Sequence, residues 1–154
     1  MKTKVTQVQW RLGSMEEVVA LSQQVPEFDQ PYGLGVYQQR LAGVAHRILI
    51  AQLGDQAIGF NVSYARSAQE LYVWMVGTLP EFRTLGSTQR LLDQQMQWGR
   101  AHGYQRLSVK SRNRYPAMLH LLLSNGFHII DCEAKGDTSL DHRIHFSKPI
   151  THAE

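Results

Sequence analysis

The sequence predicts an α/β fold of mixed α+β character, with a central mixed sheet of six to seven strands carrying helices on both faces. Two observations predict it. β-rich and helix-patterned runs alternate in the order β-α-(α)-β-β-β-α-β-α-β-β. A hairpin meander feeds a strand–helix–strand–helix crossover, which requires parallel as well as antiparallel neighbours. A third observation bounds the organisation: 154 residues suit one compact domain spanning 1–154, with roughly two-thirds of the unfolded surface buried.

The first strand is read over Val5 to Leu12, where Val5, Gln7 and Gln9 alternate with Thr6, Val8 and Trp10. Ser14-Met-Glu-Glu17 has the spacing of a capping box, and Val18, Val19 and Leu21 continue a helix that stops before Pro26. Val25 to Gly35 is rich in Pro, Gly and acidic residues and reads as a loop, followed by a short helix over Val36 to Leu41. His46 to Leu53 and Ala57 to Tyr64 form a hairpin around Gly54-Asp55-Gln56. Leu71 to Val76 is a near-continuous apolar run, as in a strand covered on both faces. Pro80 to Gly86 reads as a turn. The helix after it, Ser87 to His102, places Leu91, Leu92, Met96, Trp98 and Ala101 at helical spacing and stops at Gly103. Arg106 to Lys110 is a further strand. Pro116 opens a last helix that ends at Asn125-Gly126, and Phe127 to Ile130 and Ser139 to Phe146 close the sheet.

Composition narrows the class. A single cysteine, Cys132, excludes an intramolecular disulfide and reads as a small buried hydrophobe. No apolar run approaches the roughly 20 residues of a membrane span. The start, Met1-Lys-Thr-Lys-Val5, has no apolar stretch behind its basic residues, so a soluble cytoplasmic protein is expected. The formal charge is +3, with Arg83, Arg90, Arg100, Arg106, Lys110, Arg112 and Arg114 in one third of the chain. Interspersed Asp93 and glutamines, and the lack of interleaved aromatics, weigh against nucleic acid and favour an anionic small molecule. A solvated basic face accounts equally well for any single one of them.

The chemistry lies in Val76-Gly-Thr-Leu-Pro-Glu-Phe-Arg-Thr-Leu-Gly-Ser-Thr-Gln-Arg-Leu-Leu92. A strand ends, a glycine-containing turn follows, and a helix begins at once. The first amides of a helix have no partner within it, and the helix dipole adds partial positive charge there. With Arg83 alongside, the arrangement suits a phosphate or diphosphate, and Gly86 leaves the backbone approachable. A purely structural turn fits the same residues.

Arg83-Thr-Leu-Gly86-Ser-Thr88 resembles the Q/R-x-x-G-x-G/A signature of the GNAT N-acetyltransferase superfamily. It stands where that family carries it, after a strand and a Pro-x-aromatic turn, Pro80-Glu81-Phe82. Leu91-Leu92 fall at the family's helical positions. Asn113, a helix and Asn125-Gly126-Phe127 resemble the family's second motif, and the likeness covers about residues 46 to 130. Three positions depart from the pattern. Thr88 replaces Gly or Ala, the Asn113-to-Phe127 distance is two residues longer than usual, and Leu122 stands where many members carry a Tyr general acid.

The resemblance implies a single GNAT-like domain that transfers an acetyl group from acetyl-CoA, with no metal, to a primary amine of a small molecule or protein. The attack is direct, through a tetrahedral intermediate. The alternative is a non-catalytic acyl-CoA-binding module. Cofactor contacts are expected from the fourth-strand backbone at Val76, Gly77 and Thr78, from Arg83, Thr84, Leu85, Gly86, Ser87 and Thr88, and from Asn113. An alkyl amine has a pKa near 10 and must lose a proton to attack. Glu70 is the first candidate base, with an exposed turn carboxylate as the competing reading. Tyr64 and His46 are alternatives, and Tyr115 is a candidate replacement for the missing acid. Glu27 and Asp29 either receive a cationic acceptor or are solvated loop charges. A homodimer rests on resemblance alone.

Overall fold

The computed structural model describes residues 7–150. Val5 and Thr6 of the expected first strand, and the Met1-to-Val5 start, lie outside them. Strand β1 (Gln9–Leu12) leads to α1 (Met15–Ser22) and α2 (Leu34–Leu41), then to β2 (His46–Leu53), β3 (Gln56–Ala65) and β4 (Glu70–Thr78). A 3₁₀ turn (Pro80–Leu85) precedes α3 (Ser87–Ala101), followed by β5 (Arg106–Arg112), α4 (Pro116–Ser124), β6 (His128–Glu133), a second 3₁₀ turn (Ser139–Asp141) and β7 (Arg143–Pro149). The strands form one seven-stranded sheet in the order β1-β2-β3-β4-β5-β7-β6. Antiparallel pairs join β1 to β2, β2 to β3, β5 to β7 and β6 to β7, and a parallel pair joins β4 to β5. The mixed α/β sheet expected from the alternation is therefore present. No described helix is long and apolar enough to cross a membrane.

The chain contacts divide the fold into two compact units, residues 7–64 with Met75–Gln95 and Ala65–Trp74 with residues 96–150. In the first, Ser14 caps α1 as its spacing predicts. Its Oγ accepts from Glu17 N–H at 3.2 Å, and its own N–H donates to Glu17 Oε1 at 3.1 Å. Val8, Leu49, Ala51, Ile58 and Leu91 are buried together, with Trp10, Leu53, Val76 and Phe82 packed against them. The middle of α3 is held by polar contacts as well. Buried Gln95 donates through Nε2 to Asn61 Oδ1 at 3.0 Å, and Arg47 donates to Gln94 O at 3.3 Å. Gln95 Nε2 thus ties the helix to β3, while Gln95 Oε1 has no hydrogen-bond partner among the described residues.

The second unit corrects three expectations. The final strand does not begin at Ser139. Thr138 caps a 3₁₀ turn there through Leu140 N–H, and β7 starts at Arg143. Strand β6 starts at His128 and extends to Glu133 instead of stopping at Ile130. Cys132 is exposed, not buried, because β6 is the last strand of the sheet and has only one neighbour to cover it.

Candidate functional site

The centre of the site lies in the first unit, where β4 ends and α3 begins. Leu79 N–H donates to Ile58 O at 2.8 Å, so the chain leaves the sheet only after that residue. Pro80 then opens the 3₁₀ turn, where its fixed φ is favourable and its missing N–H costs nothing. The turn closes on Gly86 at φ 70°, ψ 21°, a left-handed conformation that only glycine adopts freely. A Cβ there would meet nothing within 4 Å, so Gly86 faces open space. Arg90 N–H bonds back to Gly86 O at 3.2 Å, which leaves the amides of Ser87, Thr88 and Gln89 as the unpaired opening donors of α3.

Ser87 is fully buried, and its Oγ has no hydrogen-bond partner among the described residues. Thr84, Leu85 and Gly86 are exposed around it. Thr88, expected among the cofactor contacts, is half-buried. Its Oγ1 lies 2.9 Å from Thr78 Oγ1 and ties the first turn of α3 to the end of β4. The β-branched departure from the family pattern thus has a structural partner.

Arg83 is also committed. Its Nε donates to Thr78 O at 3.1 Å, while Nη1 and Nη2 donate to the two Glu27 oxygens at 2.8 and 2.5 Å. The Arg83 hydrogen bonds hold the Glu27 carboxyl below the ordinary carboxylate value, against a smaller opposing effect of burial. Glu27 is therefore neither a solvated loop charge nor a free receptor for a cationic amine. Asp29, two residues on, is exposed.

Along the end of β4, Val76 is half-buried, and Gly77 and Thr78 are buried. Gly77 reflects close approach by side chains: a Cβ would stand 3.3 Å from both the Phe28 and Phe60 rings. The parallel ladder between β4 and β5 runs from Glu70↔Arg106 to Val73↔Val109, and β4 continues to Thr78.

Glu70, Asn113 and Tyr115 belong to the second unit. Glu70 starts β4, at the opposite end of the strand from Thr78. Ser108 Oγ donates to it at 2.6 Å, and Arg66 and Arg106 donate at 3.1 and 3.3 Å. Burial pushes its pKa up, but Ser108, Arg66 and Arg106 outweigh that and leave it lowered. A carboxylate so held is a poor proton acceptor. Asn113 Nδ2 donates to Ser139 O at 2.9 Å, so this amide already braces the second 3₁₀ turn. Tyr115 is the N-cap residue of α4 and half-buried. Leu122 is fully buried, with its carbonyl accepting Phe127 N–H, so the position of the missing Tyr is part of the core. In the first unit, His46 and Tyr64 face each other across β2 and β3; His46 Nδ1 is 2.8 Å from Val44 O, and Arg40 donates to Tyr64 Oη at 3.4 Å.

Sequence reasoning grouped the residues from Val76 to Thr88 but missed the Glu27–Arg83 pair, the Thr78–Thr88 link and Phe28 against Gly77. The two contacts made by loop residues span about fifty positions, and only a charge or a ring type was visible in advance.

Residues 13–127 match the Acetyltransferase (GNAT) family. Among curated proteins no sequence match is found. The fold is similar to that of the ribosomal-protein-S18-alanine N-acetyltransferase from Escherichia coli, with a TM-score of 0.81 and 14% identity over 96% of this chain and 97% of that one. It is also similar to Ard1 from Thermoplasma volcanium, with a TM-score of 0.80 and 13% identity over 94% and 99%. A GNAT family acetyltransferase from Elizabethkingia anophelis, solved with acetyl-CoA bound, gives a TM-score of 0.74 and 14% identity over 94% and 99%. At such identities the structures speak for the fold, while the family match covers most of the sequence. The chain belongs to the GNAT family and is an acetyl-CoA-dependent acetyltransferase.

Proposed function

We propose that the opening of α3 binds the diphosphate of acetyl-CoA and that the acetyl group passes to a primary amine of a small molecule or peptide. The observation that carries this reading is the open left-handed Gly86 beside the unpaired amides of Ser87 to Gln89 and the orphaned Ser87 hydroxyl. Unpaired amides at a helix start suit an anion. Thr84 and Leu85 supply the exposed rim. The backbone from Val76 to Thr78 then takes the pantetheine arm as an added strand, and an amide there stabilises the oxyanion, a contribution of about 3 kcal/mol per donor. Asn113 joins the cofactor contacts through its remaining amide oxygen.

In the transfer the neutral amine nitrogen attacks the thioester carbonyl and a C–N bond forms. The tetrahedral intermediate then collapses with loss of the C–S bond, and the thiolate leaves with a proton. Tyr115 is retained as the proton donor, and Glu70 is set aside as the base because its carboxylate is saturated by its own partners. Desolvation lowers the amine pKa, and water carries its proton away.

Titration of acetyl-CoA into the wild-type protein and Gly86→Trp tests the site. Binding is expected for the wild type and lost in the variant, with both folded by circular dichroism. Equal affinity would remove the diphosphate from Gly86. Thiol release over a panel of polyamines, amino acids and peptides tests the acceptor class, and no turnover with any amine would overturn it.

A further inference from the structure

The Arg83–Glu27 pair places the guanidinium of the diphosphate turn in the hands of a residue 56 positions away. A carboxylate and a phosphate offer a guanidinium the same two-oxygen fork, so either can occupy the face formed by Nη1 and Nη2. The pair is open to exchange, its side chains being 41% and 37% exposed. Arg83 Nε on Thr78 O keeps the fork aimed while its partner changes.

Glu27 also sits on a segment with a second hold on the site. Residues 23–33 link α1 to α2, with Val25 buried and Phe28 N–H bonded to Val25 O at 3.0 Å. The Phe28 ring lies 6.1 Å from that of Phe60, and both approach Gly77. One ion pair therefore joins the diphosphate turn to the segment that covers the end of β4.

We propose that Glu27 is a displaceable stand-in for the cofactor diphosphate on Arg83, so that acetyl-CoA enters by exchanging with this carboxylate. The inference rests on the diphosphate reading above and adds a consequence to it: the free protein carries its own competitor for the cofactor anion. An exposed ion pair is a weak competitor, and a diphosphate with several helix amides outmatches it. Removing the competitor should thus tighten binding modestly.

The test is an acetyl-CoA titration of the wild type, Glu27→Gln, Arg83→Gln and the double variant, each checked by thermal unfolding. Glu27→Gln is expected to tighten binding roughly two- to five-fold. Arg83→Gln is expected to weaken it, and the Glu27→Gln effect should vanish in that background. Unchanged or weaker binding in Glu27→Gln, with Arg83→Gln still harmful, overturns the exchange and makes Glu27 a positioning residue for Arg83. Absence of any binding to the wild type would instead remove the diphosphate site itself.

Discussion

Glu70 accepts one hydroxyl and two guanidinium donors, and this environment decides between a catalytic and a structural role. A base that takes a proton from an amine at neutral pH needs a raised pKa, whereas the Glu70 pKa is lowered. A carboxyl held lower in the folded than in the unfolded chain stabilises the fold above its unfolded value, about 4.3 for Glu. That stability is lost as pH falls through the lowered folded value. Glu70→Gln should therefore cost about 1–2 kcal/mol near pH 7, since charge-assisted hydrogen bonds become neutral ones. The cost should shrink towards zero in acid, because the wild type is then protonated too. Thermal unfolding of both proteins between pH 3 and 7 reads the difference. A constant gap across that range, or a collapse of acetyl transfer without any loss of stability, would contradict the structural role.

At the scale of elements, α1 shows how much a short motif carries. Ser14 and Glu17 satisfy two amides reciprocally, and Glu17 also takes Arg11 in a two-point contact. An eight-residue helix is marginal without such support. Ser14→Ala should lower the unfolding free energy by about 1 kcal/mol in a urea titration; a loss below the error of the measurement would mean that the Arg11–Glu17 pair alone holds the turn. This box was legible in the sequence because every atom of it lies within four residues. So were the hairpin at Gly54-Asp55 and the limits of α3, where glycine marks a break in periodicity. The start of β7 was not. Ser139 to Asp141 alternate well enough for a strand, and only the Thr138 cap and the Arg114–Asp141 ion pair turn them into a 3₁₀ turn.

Across the whole molecule, the order of the sheet determines which strands are left without a second neighbour, and periodicity cannot show that. The functional turn was legible because a strand end, Gly86 and a helix start are adjacent in sequence. The partners of Arg83, Thr88 and Asn113 were not, since each is supplied by another element. The same limit explains Cys132, which the topology moves to an edge: β6 closes the order β5-β7-β6 and exposes Ile129 and Ile130 by 53% and 63%. An apolar edge of this kind invites pairing with another copy. Two features oppose it. The register breaks between Ile129 and Asp131, and Asp131 Oδ1 accepts the Cys132 N–H at 2.9 Å, which withdraws an amide and sets a charge on the strand. Asp131→Val removes the charge, frees the amide and completes a β-branched run with Ile129 and Ile130. The fold should survive with stability changed by less than about 0.5 kcal/mol, as expected for an exposed site. Self-association should nevertheless rise with concentration relative to the wild type. Light scattering under reducing conditions, which excludes a Cys132 disulfide, reads the change. If the variant matches the wild type in size up to the highest soluble concentration, the bulge alone protects the edge and Asp131 has no part in it.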